Sequence, residues 1–342
     1  MDLQRNVILG YLFISLSVCL SSCRSLSMSM SWSFQDMSWG SLGTVRSYSN
    51  FHADRDALEI QTALEQKDAN NLVRILTNRS YVQRKQILEV YQSITEKDLV
   101  AGVKKAVSGD LATLLLGLMM TPLHFQAHRL RMAMEGLGTD EETLLEILCT
   151  TSSQQLKDIS AAYNTIFQKD LEKDLKGESS GDFTKLLMAL LRREESVGGL
   201  QTDTDALSQA LDAKKADPWI AILTTRNPDH LNKVLNRLES EREQMVDEAL
   251  QKRFSGDLKL GLRTLVCCIR NPHVYLAQRL ENMETAVVQG VMVARCEEDL
   301  LCVRAAFLRK TGTSLYTALQ HSQGITCRLC WLSVDLRTNI PS

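Results

Sequence analysis

The sequence predicts an all-α protein made of four repeated units, and three observations carry that expectation. Ile75-Leu76-Thr77-Asn78-Arg79-Ser80 recurs as Ile147-Leu148-Cys149-Thr150-Thr151-Ser152 and as Ile222-Leu223-Thr224-Thr225-Arg226-Asn227, with a fainter copy at Val291–Cys296. Ser-Gly-Asp recurs at Ser108, Ser180 and Ser255, and both markers move by 72 and then 75 residues. Two independent markers shifting in step fix a real period near 70 residues, as in repeat architectures. The third observation is apolar spacing at helical intervals, with few alternating segments and only 5 prolines.

Taken in order, residues 1–45 form a divergent leader and linker. Arg5 precedes a mostly apolar run, Val7–Leu20, and a serine-rich stretch follows. That order fits a secretory signal over residues 1–22 or a flexible leader, and the run is too short for a membrane span. The units are expected at 46–121, 122–196, 197–271 and 272–342, each with about five short helices. In the second unit Leu144, Leu145, Ile147 and Leu148 make one stripe, and Leu156, Ile159, Tyr163 and Phe167 another. Thr139 followed by Glu142 reads as a capping box opening the first of these helices. Ser180-Gly181-Asp182 opens a helix running through Leu186, Leu187, Leu190 and Leu191. A fourth Ser-Gly-Asp is due near 325, where Gly324 is followed by Ile325, so the last unit has a degenerate end.

A net charge of −2 and a pI near 6.3 give no sign of a nucleic-acid binder, and no basic run traces a phosphate backbone. The 9 cysteines show no secreted-framework spacing. Cys149, Cys267 and Cys268 sit in apolar helical stretches and read as buried thiols. Cys327-Arg-Leu-Cys330 is a lone CxxC without the second pair that a zinc site needs. His124 and His128 lie one helical turn apart on what reads as a solvated face. No nucleophile–base arrangement supports catalysis, so the chain is not read as an enzyme.

Chemistry concentrates in Gly136-Leu137-Gly138-Thr139-Asp140, with Glu178 downstream. Two glycines allow backbone angles that turn carbonyl oxygens toward one point. Calcium takes six to eight hard oxygens in flexible geometry, so neutral carbonyls plus one distant carboxylate suit it. The third glycine and preceding strand of a dinucleotide fingerprint are missing, and so are the alternating acids of an EF-hand.

Repeats of this period, with GxGT in a first loop and an acid in a later one, resemble the annexin family over residues 46–324. Within it, Tyr48–Leu58 and Ile75–Ser80 look most like the annexin II type, known for bridging membranes and cortical actin. The resemblance implies a curved disc of four repeats and a protein that docks peripherally on acidic membranes. It implies Ca2+ held by the carbonyls of Met134, Gly136 and Gly138 and by a bidentate Glu178, with phosphatidylserine or a phosphoinositide completing the shell. A weaker second ion would use the Thr139 carbonyl and the Glu141 side chain, and Leu137 at the loop tip would touch lipid. Glu135 stands where the family usually has lysine, and a carboxylate there would face anionic headgroups.

The other units look disabled. Leu64–Leu72 with Ala106, Ala213–Trp219 with Arg253, and Met283–Val287 with Ser322 or Gln323 lack the glycines, the acid, or both. The implied location is cytoplasmic, on the plasma membrane or vesicles, or secreted if the leader is cleaved. The head that carries an amphipathic helix for an EF-hand light chain is not recognisable, so that partner is not carried over. Two functions follow: calcium-dependent phospholipid binding, or a calcium-insensitive scaffold for actin or other cytoskeletal partners.

Overall fold

The computed structural model describes residues 42–136 and 138–322. Residues 1–41 of the leader, Leu137, Gln323 and the Cys327–Cys330 pair lie outside the described residues, while residues 42–45 are described. Within them every regular element is a helix. The first five are α1 (Ala53–Gln66), α2 (Ala69–Thr77), α3 (Tyr81–Thr95), α4 (Leu99–Ala106) and α5 (Gly109–Met119). The next are α6 (Pro122–Ala133), α7 (Glu141–Thr150), α8 (Ser153–Phe167), α9 (Leu171–Gly177) and α10 (Gly181–Arg192). Then come α11 (Leu200–Asp212), α12 (Asp217–Thr225), α13 (Pro228–Arg242), α14 (Val246–Arg253) and α15 (Gly256–Arg270). The described chain ends with α16 (Pro272–Arg279), α17 (Thr285–Arg295), α18 (Leu300–Thr311) and α19 (Leu315–His321).

The repeated motifs are local punctuation. Ser80 and Ser152 each form a capping box with Gln83 and Gln155, starting α3 and α8, and Asn227 accepts from the His230 amide to start α13. Each third helix ends on a left-handed residue: Glu96 (φ 55°), Gln168 (φ 53°) and Glu243 (φ 49°). The Ser-Gly-Asp glycines share one backbone setting, φ 59°, 60° and 58° at Gly109, Gly181 and Gly256, which a side chain would strain. That common angle is the physical reason the motif repeats.

Leu144, Leu145, Ile147, Leu148, Leu156, Ile159 and Tyr163 are all buried, as their stripes require. Phe167 is half-buried, 4.9 Å from the Tyr163 ring and edge-on to His128 at 5.0 Å. His128 therefore departs from the solvated face expected for it. Only His124 is exposed, while burial and then the His124 charge push the His128 pKa down. Cys149 and Cys268 are buried and Cys267 partly so.

The first and last units are joined by a strap and an acid. The Val45 amide donates to the Cys296 carbonyl at 2.8 Å, and the Leu301 amide to that of Leu42 at 3.0 Å. Glu297 accepts from the Tyr81 amide at 2.7 Å and from Arg84 at 2.6 Å. Burial pushes the Glu297 carboxyl above its ordinary pKa. The second and fourth units meet over a polar seam. Glu146, almost fully buried, pairs with Arg129 at 2.9 Å and with Arg279 at 3.4 Å, while Arg279 also binds Glu142. The second and third units touch where a Cβ on Gly261 would come within 2.5 Å of Leu186, so α15 and α10 approach closely only because glycine stands there.

Candidate functional site: the loop after α6 and the end of α9

Helix α6 stops at Ala133, and buried Met134 caps it with its amide bonded to the Arg131 carbonyl at 3.1 Å. The chain then leaves the helix axis and returns, because the Asp140 amide donates to the Ala133 carbonyl at 2.8 Å and closes the neck of the loop. Inside that neck Gly136 has φ 110° and Gly138 φ 91°. A Cβ at either glycine would meet nothing within 4 Å, so the glycines are demanded by backbone angle and not by crowding.

The opening of α7 differs from the sequence reading by one residue. Asp140, not Thr139, is its N-cap and accepts from the Thr143 amide at 2.9 Å. Asp is as good a cap as Thr, and using it frees the Thr139 hydroxyl for another task. That hydroxyl donates to the Glu178 carbonyl and reaches the Glu178 Oε2, both at 3.4 Å. Glu178 itself is the C-cap of α9, its amide bonded to the Asp174 carbonyl at 3.1 Å. Thr139 and Glu178, distant in sequence, are therefore adjacent, and Thr139 follows Met134, Gly136 and Gly138 in its own loop. Glu141 is the first residue of α7.

Beneath the loop is a polar layer that sequence patterning missed. Arg131 of α6 pairs with Glu135 at 2.7 Å and with Asp174 of α9 at 3.2 Å. The Tyr163 hydroxyl donates to the same Asp174 oxygen at 2.6 Å. Burial, then this bond, pushes the Tyr163 phenol up to about 12. The layer ties the glycine loop to the helix that ends at Glu178. It also changes the account of Glu135, whose carboxylate is turned back onto Arg131 instead of standing alone toward anionic headgroups. The only hint in sequence was the helical spacing of Arg131 and Glu135.

The equivalent places in other units are built differently. Between α1 and α2 stand only Lys67 (φ 54°) and Asp68, whose carboxylate is occupied by the Asn70 and Asn71 amides at 3.1 Å. Between α11 and α12, Lys214 takes φ 52°, and Arg253 of α14 reaches Asp212 at 3.8 Å. Before α17, Met283 takes φ 50°, and Ser322 caps α19. Among the described residues no three His, Cys, Asp or Glu side chains converge as a metal cluster. A cation at the glycine loop would thus lean on main-chain carbonyls, which is the donor set that calcium accepts and zinc disfavours.

This geometry, a helix–loop–helix whose glycine loop meets the end of a later helix, can be compared with known proteins. The family model described as "Annexin" matches residues 55–118 and 125–190. Human annexin A9 is 33% identical over 311 residues, covering 86% of this chain and 90% of that protein. The chain belongs to the annexin family. Mouse annexin A9 is 34% identical over the same coverage, and the solved annexin III superposes with a TM-score of 0.81 at 32% identity, covering 86% of this chain and 97% of that one. This annexin thus carries the all-helical repeat fold of its family. The relatives found here place it in the family without singling out the annexin II type.

Proposed function

We propose that this annexin binds acidic phospholipid in a calcium-dependent way through a single site in the second unit. The carbonyls of Met134, Gly136 and Gly138 and the Glu178 carboxylate would hold Ca2+, with a phosphatidylserine or phosphoinositide phosphate as a further ligand. Glu141 and the Thr139 carbonyl would hold a second ion more weakly, and Leu137, between the two glycines, would meet the lipid interface. The observation that carries the reading is the Thr139–Glu178 contact, which joins a loop with two positive-φ glycines to the acid. Repeat boundaries are placed at 121/122, 196/197 and 271/272, and the protein is placed at the cytoplasmic face of membranes as a peripheral binder. Among the described residues no helix is long and apolar enough to cross a membrane.

One site gives weak attachment, because several weak contacts on one surface multiply through effective concentration and a lone contact does not. Sedimentation with phosphatidylserine vesicles tests the assignment. Glu178→Gln removes the charge and keeps the shape, and it should raise the calcium needed for half-binding by tenfold or more. Unchanged binding in that variant sinks the site. The alternative reading, a calcium-insensitive scaffold for actin or another cytoskeletal partner, is motivated by the loops that lack the glycine pair, where Asp68 and Asp212 are already engaged. Equal actin co-sedimentation in calcium and in chelator, without lipid, would select it.

A further inference from the structure

The loop pair of the third unit has neither the glycines nor the acid of the second, yet its charges are arranged for a related task. Lys214 and Lys215 lie between α11 and α12, and Lys252 and Arg253 end α14; all four are exposed. The Arg253–Asp212 approach at 3.8 Å brings these two segments together, as the Thr139–Glu178 contact does in the second unit. We propose that this cationic loop pair is a calcium-free contact for an anionic phospholipid surface, seated beside the glycine loop of the second unit.

Its placement follows from one bond. Lys185 of α10, the helix that begins just after Glu178, donates to Asp217 at 2.8 Å, and Asp217 opens α12 directly after the lysine loop. The lysines therefore stand next to the end of the second unit that carries Glu178. The neighbouring acids do not cancel them. Asp212 is engaged by Arg242 at 2.7 Å as well as by Arg253, and Asp217 is engaged by Lys185. Glu248 lies 4.0 Å from Lys252, with both side chains mostly in solvent, where such pairs are weak. Among the described residues no ion pair involves Lys214 or Lys215. The first unit repeats the exchange, with exposed Lys67, Lys104 and Lys105 at the same two places.

The physical logic is a substitution of one positive charge for another. In the second unit a calcium ion would bridge protein oxygens to a phosphate; in the third, ammonium and guanidinium groups donate to phosphate and serine carboxylate oxygens directly. Such contacts need no calcium, strengthen with anionic lipid content, and fade with salt as the Debye length shortens. The inference rests on reading the glycine loop as facing the membrane.

The test is sedimentation of the full chain with vesicles of equal phosphatidylserine and phosphatidylcholine, against phosphatidylcholine alone, in chelator. The wild type should pellet with the anionic vesicles at low salt and be released as salt rises. Lys214→Gln/Lys215→Gln, with its melting curve checked against the wild type, should lower the partition coefficient by roughly 25-fold, at about fivefold per cation near an anionic surface. No pelleting in chelator at low salt, or an undiminished double variant, overturns the proposal. A missing calcium-induced increment with an intact chelator arm would instead overturn the second-unit site and leave this contact standing.

Discussion

The second and third units solve the same local problem in opposite ways. Each must turn from its first helix into its second and bring a later helix end alongside. The second unit spends residues 134–140 on the turn, places glycines at φ 110° and 91°, and finishes with a carboxylate. The third spends residues 213–216, forces Lys214 to φ 52°, and finishes with Arg253 on Asp212. The second arrangement sets a threonine hydroxyl on its exposed acid. The third satisfies its acid internally and leaves amines outward. The sign of the exposed charge is thus opposite at the two places, with Glu178 in the second unit and Lys214, Lys215, Lys252 and Arg253 in the third.

That contrast can be broken most directly by exchanging its charges. Glu178→Gln should give the largest effect, the tenfold or greater rise in calcium requirement described above. Next, Gly136→Ala should raise the calcium requirement and cost about 1–2 kcal/mol, because φ 110° lies where a side chain is strained even with open space around it. Thermal melting with and without calcium separates the two effects. The mirror change, Lys214→Gly, relieves left-handed strain and should alter stability by less than about 1 kcal/mol while weakening calcium-free vesicle binding; a loss comparable to that at Gly136 would show the two turns to be equivalent after all.

A smaller effect is expected from the layer below the loop. Asp174→Asn keeps a hydrogen-bond acceptor for Tyr163 but removes the charge that holds Arg131 to α9. A cost of about 1–3 kcal/mol in denaturant unfolding follows from leaving a half-buried charge less well paired, with a several-fold rise in calcium requirement and no change in chelator. For ion binding, the smallest expected change comes from Arg253→Glu. Restoring an acid without the glycine loop should create no ion site in the third unit, so calorimetric stoichiometry should match that of the wild type; an added ion would mean the acid alone makes the site.

Much of this was readable in the residues. The Ser-Gly-Asp and Ile-Leu-Thr markers are local punctuation, fixed by a glycine angle and by caps within a few residues, so sequence spacing reports them faithfully. The capping of α7 was displaced by one residue because Thr139 and Asp140 are both competent caps, and only the distant Glu178 decides which one is released. Glu135 looked like an isolated charge because Arg131, its partner one turn back, could equally have pointed elsewhere. His128 looked solvated until Phe167 of α8 packed on it.

The sequence by itself determined the helical repeat, the family and which loop keeps its glycines, since each depends on residues close together in the chain. Tertiary structure alone decided that Thr139 meets Glu178, that Asp174 gathers Arg131 and Tyr163, and that Lys185 of α10 meets Asp217 at the start of α12. Those facts depend on distances between segments far apart in sequence, which packing of the buried stripes sets and no local spacing encodes.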